Sequence, residues 1–142
     1  MDDSDYPISD RLGTLLEQSV NINLSRLQDG QPILPSLLCL ETGQAGYGVT
    51  VFNDPDVQQA IATARSTITQ QSAQIEVYVI SYAGQLPTTD GIVRSLLFEM
   101  GERGQAVAFR YMVGYTFSGD RLQLLDGFNG VLGETEPLLN PV

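Results

Sequence analysis

A chain of 142 residues is the size of one domain, with enough interior to fold without a disulfide or a metal. Seventeen acidic residues oppose seven basic ones, all Arg, for a formal charge of -10, which excludes the basic footprint that nucleic acid or anionic lipid would need. Histidine, lysine and tryptophan are absent, so imidazole acid–base chemistry, His-ligated metals, Schiff bases and Walker-type phosphate lysines are excluded as well.

The first seven residues are acidic, end at Pro7 and read as a loose arm. Apolar residues at 8, 12, 15, 16, 20, 24 and 27 then recur at helical spacing. With Ser9 or Asp10 as cap and Asp29-Gly30 as stop, they predict a helix over 9–28. The run 31–42 is short, apolar and entered through Pro32 and Pro35, which suits a strand. A glycine-rich turn at 43–48 leads into a second short strand over 49–52. Asp54, Pro55 and Asp56 suit an N-cap, the first helical position and the positive end of the dipole; they open a helix over 55–72.

Ile75–Ala83 is rich in β-formers. Ile92–Met100 reads as a strand because the Gly101–Gly104 turn joins it to another. The four-residue spacing of Ile92, Leu96 and Met100 leaves a helix open as the alternative. From 105 to 117 the alternation is regular, with Val107, Phe109, Tyr111, Val113, Tyr115 and Phe117 on one face. Ala106, Ala108, Arg110, Met112, Gly114 and Thr116 lie on the other. A last strand is expected over 121–125, followed by an irregular tail over 127–142. The fold class is therefore α+β, a single domain with two helices packed on one mostly antiparallel sheet of about six strands, in the order α-β-β-α-β-β-β-β.

Three residues are candidates for a ligand site. Glu99 is the one acid inside an apolar run; Arg94 lies on the same expected strand and Arg110 on the next. Pairing Gly101 with Gly104 would set Glu99 opposite Ala106. It would then stand about 13 Å from Arg110, too far for a salt bridge. The ordinary reading of Glu102 and Arg103 is a solvated turn tip, and that of Glu99 a buried carboxylate with a structural partner. Cys39, in an apolar strand with no basic neighbour, reads as an inert thiol. No metal set and no cofactor motif is expected: the Asp clusters at 2–5 and 54–56 lack calcium-loop spacing.

The Gln31–Pro35 strand entry, the Ile75–Ala83 strand and the Leu97–Gly104 segment together resemble small uncharacterised bacterial proteins of the domain-of-unknown-function kind, over roughly residues 10–139. The resemblance implies no activity and no site. The expected function is a non-enzymatic interaction or accessory protein, with self-association or a protein partner, and neither nucleic acid nor membrane. The small-residue face of 105–117 is the expected surface for a second subunit. The alternative is a small-molecule binder or carboxylate-based enzyme using Glu99 and Arg110. No apolar run approaches the ~20 residues of a bilayer span. The acidic opening segment lacks signal-peptide character and one cysteine cannot form an internal disulfide, so a cytoplasmic location is expected.

Overall fold

The computed structural model describes residues 8–89 and 91–139. The arm expected over 1–7 and the end of the tail, 140–142, lie outside the described residues. Helix α1 (Asp10–Gln28) starts where Ser9 Oγ accepts the Leu12 N–H at 3.1 Å. Strands β1 (Ser36–Glu41) and β2 (Gly48–Val51) form a hairpin, and α2 (Val57–Gln70) follows. A single 3-10 turn (Ser72–Gln74) then feeds β3 (Ile75–Thr88), β4 (Gly91–Glu102), β5 (Ala108–Ser118) and β6 (Arg121–Thr135). The arrangement is the α+β order read from the sequence, and the segment around Ile92–Met100 is a strand.

All pairings in the six-stranded sheet are antiparallel, in the order β2-β1-β3-β4-β5-β6. Each helix takes one face. On α1, Leu12, Leu15 and Leu16 lie one turn apart and pack on Leu38, Val77, Val79, Phe98, Met100 and Phe109. On α2, Ala64 and Ile68 pack on Leu37, Tyr78 and Ile80, whose numbers have the opposite parity along each strand. The large alternate residues of β5, Phe109, Val113 and Tyr115, belong to the α1 side. Of the small residues, Ala108 and Gly114 face α2 and are buried, while Ala106 precedes the strand and is exposed. Ala108 is fully buried, and a Cβ on Gly114 would stand 2.7 Å from Phe128 Cβ, so the chain's own β6 fills that space. Among the described residues no helix is long and apolar enough to cross a membrane.

Three local expectations are corrected. The N-cap of α2 is Asp56, which accepts the Gln59 N–H at 3.2 Å; Asp54 instead accepts the Asp56 N–H in a turn outside the helix. The last strand does not stop at 125 but runs to Thr135, so 127–135 belongs to the sheet rather than to an irregular tail. Along it, Tyr115 pairs with Leu124 but Val113 with Asn129, and the extra residues on β6 form a bulge across from Gly114. Finally, β4 and β5 are joined so that Met100 pairs with Phe109, not Gly101 with Gly104. Glu102 stays in the strand and Gly104, at φ +88°, makes the turn.

Candidate functional site

The corrected hairpin register brings two of the three predicted site residues together. Glu99 pairs directly with Arg110 across β4 and β5, and both side chains point to the α2 face. The separation of about 13 Å inferred from a tighter turn therefore does not hold. Arg94 is five residues from Glu99 and so faces the other way. Its guanidinium lies 5.5 Å from the Tyr115 ring centre and 5.6 Å from that of Phe117, on the α1 side. Strand parity alone separates it from Glu99.

Sequence reasoning missed the partners that dominate the Glu99 environment. Its carboxylate is 8% exposed and accepts a bidentate pair from Arg65 of α2, with Nε at 2.9 Å. Tyr82 of β3 donates its hydroxyl to the same carboxylate at 2.6 Å. Burial alone would raise the Glu99 carboxyl. The Arg65 and Tyr82 hydrogen bonds and the charges of Arg65 and Arg110 outweigh it and hold the group below its ordinary value. Burial and the Glu99 hydrogen bond push the Tyr82 hydroxyl well above its ordinary range, so it remains a donor. A signal for Tyr82 existed, since it shares the parity of Tyr78 and Ile80; nothing local pointed to Arg65, 34 residues away in sequence.

A second carboxylate of β4 is anchored on the opposite face. Glu102 is 8% exposed and accepts the Ser9 hydroxyl and Arg11 of α1, with Arg11 Nη2 at 2.7 Å. Arg103 pairs with Glu76 at 3.1 Å. Neither residue is a solvated turn tip.

Beside Glu99 lies a hollow of about 140 Å³ whose lining includes Tyr82, Leu86, Leu97, Arg110 and Leu132. A larger hollow of about 400 Å³ runs between the first half of α1 and the β1–β2 turn, past Leu15, Leu40 and Tyr47. Its cation, Arg11, is already committed to Glu102. Cys39 is half-buried, and burial together with the Glu41 charge raises its thiol, so it is a poor nucleophile. Among the described residues no group of three His, Cys, Asp or Glu side chains could hold a metal ion.

The outer edge of β2 is the other distinctive surface. Phe52 N–H reaches back to Pro35 O at 2.8 Å, so its backbone faces β1. By alternation Gly48 and Thr50 also face inward, while the polar groups of Val49 and Val51 face away from the sheet. The side chains of Val49 and Val51 are 48% and 42% exposed on the α1 side, and Tyr47 beside them is 41% exposed. A hollow of about 360 Å³, lined by Arg26, Gln31, Pro32 and Leu34, adjoins Val51. No charge occurs from Thr42 to Asn53.

No protein-family model, no curated protein and no solved structure matches the chain, so the resemblance to uncharacterised bacterial proteins brings no function with it.

Proposed function

We propose that the protein is a non-enzymatic interaction protein of the cytoplasm that pairs with a second copy of itself through the outer edge of β2. The observation that carries this reading is the uncharged edge of this four-residue strand: outward amides and carbonyls, exposed valines and no charge. Proteins that stay monomeric usually blunt such an edge with Lys, Pro or a bulge. A second copy is the favoured occupant on charge. Two chains of -10 repel over most of their surfaces, and the uncharged stretch 42–53 is where they can meet at least cost.

Two-fold pairing on Val49 gives a self-complementary register. Val49 then exchanges hydrogen bonds with its counterpart, and Tyr47 of each copy lies opposite Val51 of the other, over the hollow at Arg26 and Pro32. Both α1 helices stay on one side of a continuous sheet. The Glu99 carboxylate supports the non-enzymatic half of the reading: a group held ionised by an Arg and a Tyr serves as an anchor rather than a proton donor.

Light scattering across concentration tests the proposal. The wild type is expected to be a dimer at tens of micromolar. Val49→Lys is expected to be a monomer with unchanged circular dichroism, because the side chain is already half in solvent. In a Cys39→Ser background, Val49→Cys should give a disulfide-linked dimer under mild oxidation and Thr50→Cys, on the other face, should not. A wild type that stays monomeric at several hundred micromolar overturns the reading, as does a dimer that Val49→Lys leaves intact.

A further inference from the structure

We propose that the hollow beside Arg110 is a binding site for a small organic carboxylate with a short apolar tail. Glu99 is the cross-strand neighbour of Arg110, yet both of its oxygens are taken, by Arg65 and Tyr82. Among the described residues Arg110 has no carboxylate within ion-pair distance, and it is exposed. Arg65, Glu99 and Arg110 therefore leave one uncompensated positive charge, in a chain whose net charge is -10. That charge stands at the rim of an apolar concavity rather than on a flat surface.

The concavity has a structural cause. Helix α2 packs on β1 and β3 and reaches β4 through Arg65, and beyond it Arg110 of β5 and Leu132 of β6 are exposed. Opposite Met112 and Arg110, β6 contributes Gly130 and Gly133, which have no side chains to fill the gap. Leu132, 40% exposed, stands at its border, with Leu86 and Leu97 beside it. A volume of about 140 Å³ equals roughly five water volumes. It suits a tail of three or four carbons whose carboxylate reaches the Arg110 guanidinium, whose planar fork matches that geometry. In the larger hollow at Leu15 and Tyr47 the lining cation, Arg11, is already held by Glu102. This site faces α2 near the β6 edge, far across the sheet from β2, so it stands or falls independently of self-association.

Butyrate is the probe, with acetate as the anion without a tail and 1-butanol as the tail without a charge. Methyl chemical shifts of Leu86, Leu97 and Leu132 are the readout. Butyrate is expected to shift all three saturably with a Kd near the millimolar range, as befits so few atoms. Acetate and 1-butanol should each bind at least tenfold more weakly. Arg110→Gln, at an exposed position, should cost butyrate at least tenfold while leaving the fold intact, and Arg121→Gln should change nothing. Equal binding of butyrate and 1-butanol, equal binding of butyrate and acetate, or an Arg110→Gln variant that still binds butyrate overturns the proposal.

Discussion

The two faces of the sheet are fastened by the same device and finished differently. Glu102 and Glu99 are three residues apart on β4 and so point to opposite sides, and each receives an Arg from the helix on its own side. On the α1 side the nineteen-residue helix continues the contact with leucines over a dense aromatic core that includes Phe98, Phe109 and Tyr115. On the α2 side the fourteen-residue helix covers less, and its apolar cluster is smaller. The same ion-pair anchor thus closes one face and leaves on the other a hollow beside Arg110, which has no ion pair among the described residues. Coverage follows from helix length and position, not from the strength of the anchor.

This contrast can be broken deliberately, by denaturant unfolding of single-residue variants. Phe98→Ala, in the α1 core, is expected to cost about 4 kcal/mol, since truncating a fully buried aromatic loses its transfer energy and leaves a cavity. The matching change on the other face, Ile68→Ala, is expected to cost about 3 kcal/mol. If the order is reversed, the α2 side is the better packed of the two and the argument from coverage fails.

Cutting the anchors should cost less. Arg65→Ala leaves a carboxylate that is 8% exposed with Tyr82 alone, and about 2 kcal/mol is expected, kept modest because Arg65 itself is 43% exposed. The pH dependence has a definite sign. Glu99 sits below its ordinary value of 4.5 in the folded state, so its pairing contributes in full above that pH. The contribution is lost as pH falls through the lowered folded value. The gap between wild type and Arg65→Ala should therefore be full at pH 7, narrow on acidification and close as pH falls through the lowered folded value of Glu99. A gap that widens on acidification would mean that Glu99 is not the partner that matters. Ser9→Ala removes both the α1 cap and one Glu102 bond, and is expected to cost about 1 kcal/mol.

Elements with strong local patterning were legible in the sequence. The α1 periodicity and the β5 alternation follow the spacing of the faces that they bury, and the Ile75–Ala83 run is apolar throughout because both faces of β3 are buried. The rest failed for identifiable reasons. In β6, Gly127, Gly130 and Gly133 remove side chains from the alternation, so a strand that runs to Thr135 reads as a tail. The β4–β5 register turned on where Glu102 ends its strand. That depends on Ser9 and Arg11, more than ninety residues earlier in the chain, a contact that no local rule sees. A four-residue error there separated Glu99 from Arg110, although opposite charges facing each other across a hairpin are a favourable pair. Arg65 was invisible for the same non-local reason.

Strand order also bears on how the molecule assembles. From β3 to β6 each strand pairs with the next in sequence, so this part of the sheet can grow by successive hairpins with short loops to close. The β1–β2 hairpin joins only when β1 docks on β3, across the whole of α2. That docking closes a long loop and is entropically the costliest strand pairing. The meander is thus favoured to form early, and the hairpin carrying the bare β2 edge to arrive late. On this order, the β2 edge is added to the sheet only after most of the sheet that it borders has formed.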